Sequence, residues 1–370
     1  MPKYRIALLP GDGVGPEVCD AALMVLNALE FPAEYLNGDI GWEFWRREGD
    51  PLPPRTVELL RATDCALFGA ITSKPPLEAA RELAPALRGR GLVYRSPIVR
   101  LRQLLDLYVC QRPCHAYPGN PLNYRNNIDL TVFRENTEGM YVGVEFAHVP
   151  DCFYQEPGMA RIPREAAVSI RSITAHACRR IVEAAFDYAL ENGCKKVTAI
   201  HKANVLRTTC GLFLQEARAV AERYPRVDYE EANVDAICMW LLKNPQNYQV
   251  LVTTNLFGDV VSDLCAQLVG GLGFACSGNI GSSYAVFEPS HGSAPKYAGM
   301  NKVNPIATIL SAQMMLDWLG EHERAERLQQ AVAAVLAEGK VRTYDLGGTA
   351  STTDMARAIC GALGIHRAAA

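Results

Sequence analysis

The chain has 370 residues, 49% hydrophobic and 21% charged, with 37 Lys and Arg against 40 Asp and Glu for a formal net charge of −3. That length suits two domains or one large α/β body with a substantial core, and the composition excludes disordered, collagen-like and knottin-like classes. Interspersed charges leave no basic stripe for nucleic acid, and no apolar run reaches the roughly 18 residues of a membrane span, so the expectation is a cytoplasmic protein with a small-molecule partner.

Tyr4 to Leu9 reads as a buried strand, followed by a glycine turn and by Pro16 where a helix begins and a missing N–H costs nothing. Ala66 to Gly69 is a second short strand, Ile98 to Leu105 a helix, and Leu107 to Gln111 and Leu130 to Phe133 two further strands. This alternation is α/β architecture. Between Glu145 and Pro163 charge, proline and aromatic content rise and helical period disappears. An arm clasping a second subunit has this composition, and so does a surface loop, which composition alone favours. A long helix is predicted from near Arg164, carrying Glu165, Ala166, Ile170, Ile173 and Ala177. No repeat or linker separates the domains. The 12 cysteines are scattered without a Cys-x-x-Cys pair and read as small buried hydrophobes.

Residues 249–287 contain only two charged side chains, Asp259 and Asp263. Four apart in a helix-like stretch, they share one face, where paired carboxylates repel and are costly to desolvate. A divalent cation resolves both problems; capping or pairing with arginine is the simpler alternative. Asp235, opening the apolar run Ala236 to Met239, is a third acid, and three oxygen ligands suit Mg²⁺ or Mn²⁺. Arg102, Arg112 and Arg134 each interrupt or border apolar segments and need anionic partners. Internal salt bridges provide these, or, if the three converge, a di- or tricarboxylate substrate does. Lys202 follows the strand Val197 to Ile200; facing a metal it would favour its neutral form and accept a proton, and Tyr141 is a candidate for the matching acid. Gly11-Asp12-Gly13-Val14-Gly15 is neither G-x-G-x-x-G nor Walker A, whereas the glycine-dense stretch Glu288 to Gly299 has backbone N–H groups beside Lys296 and Tyr297 that suit a phosphate.

Pro10 to Glu17, Phe133 to Tyr141, His201 to Asn204, Asn255 to Asp263 and Glu288 to Pro305 together resemble the isocitrate/isopropylmalate dehydrogenase family, in order and over nearly the whole chain. The resemblance implies a metal-dependent, β-decarboxylating, nicotinamide-linked dehydrogenase with a two-domain α/β fold distinct from the Rossmann fold. It implies a large domain of residues 1–110 and 259–370, a small domain of residues 111–258 with a clasp-like arm near 145–163, and a homodimer or larger assembly with shared active sites.

Residue by residue, the resemblance assigns the malate carboxylates to Arg102, Arg112 and Arg134, the metal to Asp235, Asp259 and Asp263, and proton transfer to Lys202 and Tyr141, with Asp235 and Lys202 supplied by the neighbouring subunit. Cofactor contacts are implied for Asn204, Glu288, His291, Gly292, Ser293, Ala294, Lys296, Tyr297, Val303, Asn304 and Arg357. Lys296, Tyr297, Val303 and Arg357 match the NADP pattern, although Thr353 stands where NADP enzymes have tyrosine; NADP is therefore expected, with NAD the alternative. For the substrate, Ser96 matches the serine that meets the γ-carboxylate of isocitrate, while Ile98 replaces an asparagine and, with Val99, resembles an isopropyl pocket. Isocitrate or a similarly anionic 3-substituted malate is favoured over 3-isopropylmalate, and Arg100 leaves room for homoisocitrate or a phosphonate analogue. A silent regulatory subunit is the different-class alternative, disfavoured because the lysine, tyrosine and metal acids are all present.

Overall fold

The computed structural model describes residues 2–367. Its twelve strands are β1 (Tyr4–Gly11), β2 (Ala33–Asn37), β3 (Cys65–Ala70), β4 (Val109–His115), β5 (Asp129–Glu135), β6 (Glu145–Phe146), β7 (Val168–Ser169), β8 (Lys196–His201), β9 (Asp228–Asn233), β10 (Val250–Thr253), β11 (Cys276–Ile280) and β12 (Ala285–Pro289). Ten form one sheet in the order β2-β1-β3-β12-β11-β4-β5-β10-β8-β9. The outer blocks β2-β1-β3-β12 and β5-β10-β8-β9 are each parallel, while β11 is antiparallel to both β12 and β4, and β4 to β5. The two blocks therefore run in opposite directions, with β11 and β4 forming the seam.

Near-continuous apolar runs such as Cys65–Ala70 and Val250–Thr253 are buried throughout, as strands covered on both faces require. One core gathers Ile6, Leu26 and Phe287 with the C-terminal helices through Ile309, Met315, Val332 and Ile359. A second joins Phe133, Phe186, Phe213 and Val252, and a third Val132, Leu251, Val261 and Cys265. The helix Asn255–Leu268 belongs with this third core, so the domain boundary expected between 258 and 259 falls inside a helix rather than at its edge.

The predicted long helix starts later than expected. It spans Ala175–Glu191, and Thr174 caps it by accepting the Ala177 N–H at 3.2 Å. Residues 164–173 instead lead through β7, where Val168 pairs with Phe146 and Ser169 with Glu145. The apolar spacing of Ala166, Ile170 and Ile173 thus ran across a strand and a cap that imitate helical period. The intervening excursion carries this separate two-stranded sheet and two one-turn helices, Asp151–Gln155 and Pro157–Arg161. The cysteines are free, most of them buried, and no described helix is long and apolar enough to cross a membrane.

Candidate active site

The seam brings three arginines to one face. Arg112 projects from β4 and Arg134 from β5, while Arg102 reaches the same region from the helix Pro97–Leu104; all three are buried. The helix Asn255–Leu268 lies over them. Gly258 permits that approach, because a Cβ there would stand 2.5 Å from Cγ of Arg134. Arg134 donates to the Asp259 carboxylate and, through Nε, to Asn255 Oδ1 at 2.9 Å. Nη1 of Arg112 donates to Ser262 Oγ at 2.7 Å and to Asp263 at 3.1 Å, and lies 3.8 Å from Asp259. Tyr141, on the turn Met140–Val142, donates its hydroxyl to the second Asp259 oxygen.

Arg102 is held differently. Its Nε donates to Asn279 Oδ1 at 2.9 Å and its Nη2 to Glu288 Oε1 at 3.1 Å. Nε of Arg112 and Nη2 of Arg134 are buried with no hydrogen-bond partner. Unmet guanidinium N–H groups at this depth call for an anion.

Burial pushes the Asp259 carboxyl up, but Arg134, the Tyr141 hydroxyl, Arg112 and Arg102 together hold it below its ordinary value. For Asp263 burial prevails and its carboxyl is raised. Tyr141 is raised as well, first by burial and then by its bond to Asp259. The two acids lie on one helix face, both within 4 Å of Arg112, and offer the hard oxygen donors that Mg²⁺ or Mn²⁺ takes. Within one chain they have no third acid beside them: no group of three or more His, Cys, Asp or Glu positioned for a metal occurs among the described residues. Asp235 opens the helix Val234–Lys243 and pairs with Lys202, which follows β8. Asn204 lies two residues beyond Lys202 in an exposed turn.

The helix carrying Arg102 begins after Ser96, which is half-buried at its N-cap. Ile98 packs into the core with Leu9, Phe68, Leu101 and Val286, so Val99 is the more accessible of the two apolar residues. Arg100 is ion-paired to Asp50.

A cleft of about 420 Å³ adjoins the glycine-dense stretch and is lined by Val14, His291, Gly292, Ala294, Tyr297, Val303 and Asn304, together with Leu272, Gly273, Lys302, Tyr344 and Asp345. Asn304 accepts the Ile306 N–H at 3.0 Å and donates to Asp345 at 2.9 Å. Ser293 is buried behind the cleft, its hydroxyl 2.6 Å from that of Thr72 and its carbonyl accepting the Val14 N–H at 2.9 Å. A Cβ on Gly13 would stand 2.0 Å from that carbonyl, so the first glycine turn serves as a close-packed support for the cleft loop. Lys296 and Lys302 both approach the Tyr297 ring, at 4.8 and 5.8 Å, and Lys302 also lies 4.4 Å from the Tyr344 ring. Arg357 lies outside the cleft lining, exposed and 3.9 Å from Asp354.

Sequence reasoning missed Asn136, Asn255, Ser262 and Asn279 at the arginines, and Lys302 and Tyr344 at the cleft. Lys302 adjoins Val303, so the cofactor motif held its signal; the neutral asparagines carry none.

The sequence profile described as isocitrate/isopropylmalate dehydrogenase matches residues 5–359. The chain is 41% identical over 362 residues to protein DlpA of Legionella pneumophila, spanning 96% of this chain but only 58% of that protein. It is 43% identical over 359 residues to the 3-isopropylmalate dehydrogenase of Methanothermobacter thermautotrophicus, spanning 97% and 98% of the two chains. Among solved structures, the isocitrate dehydrogenase of Methylococcus capsulatus matches with a TM-score of 0.86 and 38% identity over 97% of this chain and 99% of that one. The chain therefore belongs to the isocitrate/isopropylmalate dehydrogenase family and is an NAD(P)-dependent decarboxylating dehydrogenase.

Proposed function

We propose that the protein oxidatively decarboxylates a 3-substituted malate, with isocitrate or a similarly anionic analogue favoured, using NADP and Mg²⁺ or Mn²⁺. The observation that carries this is the set of buried guanidinium N–H groups left without partners beside Asp259 and Tyr141. Arg102, Arg112 and Arg134 bind the malate carboxylates by charge-assisted hydrogen bonds and fix the C2–H bond toward the cleft. A divalent cation held by Asp259, Asp263 and Asp235 of a second copy would act as a Lewis acid on the substrate oxygens. His291, Gly292, Ala294, Tyr297 and Val303 line the cleft that would hold the nicotinamide cofactor, which would supply the hydride acceptor. Lys202 of the second copy takes the 2-hydroxyl proton, and Tyr141, whose hydroxyl is kept protonated by burial and by Asp259, returns a proton to the carbon that loses its carboxylate.

The subunit pairing is supported by two observations. Lys202 and Asp235 pair with each other, and Asp235 forms no group with Asp259 and Asp263 that could hold a metal among the described residues. On the neighbouring helices Val234–Lys243 and Asn255–Leu268, Met239, Trp240, Leu242, Leu256 and Val260 are exposed, a set that a homodimer would cover. We read residues 1–110 with the C-terminal segment as the large domain and the remainder, with its excursion, as the small one. NADP is favoured by the two lysine ammonium groups at Tyr297, neither of which has a carboxylate partner among the described residues.

3-Isopropylmalate is the second reading, favoured by one feature: Asp50 neutralises Arg100, which leaves Val99 without a neighbouring free cation on its helix. Turnover of isocitrate, homoisocitrate and 3-isopropylmalate with NADP and with NAD decides between them. Strong isocitrate turnover supports the anionic pocket, and exclusive 3-isopropylmalate turnover replaces it with the apolar one.

A further inference from the structure

We propose that Asn279 is a positioning residue that couples substrate binding to cofactor binding, a role that rests on the functional reading above. Asn279 sits in β11 at the seam, opposite Cys110 of β4 and Val286 of β12, and is fully buried. Its Oδ1 accepts from Arg102 Nε at 2.9 Å and from Asn136 Nδ2 at 2.9 Å. Its Nδ2 donates to Glu288 Oε1 at 2.8 Å and to the Val286 carbonyl at 3.2 Å. Two donors face one end of the amide and two acceptors face the other. The neighbours thereby dictate the orientation of the amide, and no other side chain of this size meets all four.

The consequence lies in what the two ends hold. Arg102 is the one arginine of the three that pairs with neither Asp259 nor Asp263; its carboxylate partner is Glu288, reached directly at 3.1 Å and again through Asn279. Glu288 is near the end of β12, three residues before His291 and the loop lining the cofactor cleft. Arg102 and that loop are thus parts of one buried network. A substrate carboxylate that draws Arg102 into place also fixes Glu288, and a cofactor that orders the loop fixes Arg102. Linkage requires the coupling to be reciprocal.

Asn279→Asp tests this because it keeps the acceptor for Arg102 and Asn136 while turning a donor into a carboxylate oxygen that repels Glu288. The readout is the factor by which a saturating malate tightens binding of NADPH (or NADH, if wild type prefers NAD), a dead-end pair that avoids turnover, measured by calorimetry with Mg²⁺. The malate is whichever of isocitrate, homoisocitrate and 3-isopropylmalate wild type turns over best.

Wild type is expected to show a coupling factor of about 5 or more. In N279D the factor should fall toward one, and kcat/KM for the malate should drop about 100-fold, with the chain still folded by circular dichroism. Adding Glu288→Gln restores a donor facing the introduced carboxylate, so N279D/E288Q should be at least about 10-fold less impaired than the product of the single effects predicts. If N279D does not fold, N279S carries the same coupling measurement.

An unchanged coupling factor in the Asn279 variant, an unchanged kcat/KM for the malate, or strictly multiplicative effects in the double variant overturns the proposal. So does a wild-type factor of one. A wild type that oxidises none of the three malates overturns the functional reading itself, and the two failures are told apart by that control.

Discussion

Tyr141 donates its hydroxyl hydrogen to Asp259, and the other oxygen of that carboxylate takes the Arg134 guanidinium, whose central carbon lies 4.9 Å from the Tyr141 ring centroid. The acid of the proposed proton return is therefore aligned by the same carboxylate that is proposed as a metal ligand. Replacing Tyr141 with Phe removes the proton and leaves the ring under Arg134. We expect kcat to fall by about 10²- to 10³-fold with malate KM changed by less than about fivefold. Steady-state kinetics checks this, and a KM rise matching the kcat loss would mean that Tyr141 serves binding instead.

The Gly258–Arg134 contact makes a separate point about binding. In Gly258→Ala the new methyl meets Cβ and Cγ of Arg134 at 2.6 and 2.5 Å, so the arginine or the helix must move. Helix propensity gains about 1 kcal/mol and overpacking costs about 1 to 3, so net stability should change little or fall by up to about 2 kcal/mol. Malate KM should rise at least about 10-fold because Arg134 is displaced. Chemical denaturation and kinetics on the same sample separate the two effects.

What could be read from the sequence was set by contrast. Arg102, Arg112, Arg134, Asp259 and Asp263 stood out because charge is costly in apolar stretches; Arg134 pairs with Asp259 and Arg112 with Asp263, while Arg102 pairs with Glu288. Asn279 gave no such contrast, since an asparagine in a short glycine-containing strand has no local signature and its four partners, Arg102, Asn136, Val286 and Glu288, come from three stretches of the chain. The late start of the helix Ala175–Glu191 was hidden for a different reason. A two-residue strand and a threonine cap reproduced the apolar spacing of a helical turn, and only pairing with Glu145–Phe146, far along the chain, distinguishes them. Ile98 was matched by position to a pocket residue; it is buried in the core with Leu9 and Phe68, and Val99 packs half-buried against the same core.

Lys302 should matter for cofactor choice as much as Lys296. Both ammonium groups lie at Tyr297, and Lys302 is the one lining the cleft. Lys302→Gln and Lys296→Gln are each expected to raise KM for NADP by about 10-fold or more, with KM for NAD within about twofold, since each removes one charge-assisted contact of roughly 1.5 to 3 kcal/mol. Equal effects on the two cofactors would indicate a role at the shared part of the molecule rather than at a 2′-phosphate.

If a second copy completes the site, breaking the pair must abolish activity without touching any catalytic group. Met239 and Trp240 are 66% and 41% exposed on the helix Val234–Lys243 and distant in sequence from every arginine of the site. A double change of both to Glu is expected to give a folded monomer by light scattering, with turnover reduced by at least about 100-fold. A fully active monomer would place Lys202 and Asp235 outside the reaction.

Acid sensitivity should appear far from the active site, where the chain start meets the helix His322–Glu338. Glu321 accepts from Lys3 Nζ at 2.7 Å and from the Tyr4 hydroxyl at 2.9 Å, and it also pairs with Arg324. These partners, Lys3 foremost, hold its carboxyl down at about 2, against the ordinary glutamate value of about 4.3 in the unfolded chain. A lowered folded value means that the ionised group stabilises the fold above the unfolded value, and that this contribution fades as pH falls from about 4.5 toward 2. Lys3 is 61% exposed, so solvent screening limits the contribution to about 1 kcal/mol at neutral pH. Urea unfolding of wild type and Glu321→Gln should therefore differ by about that amount at pH 7, with the gap more than halved at pH 3. A gap that stays constant between those pH values would show that the Glu321 carboxylate is not held by its cationic partners, and that the variant loses packing rather than charge.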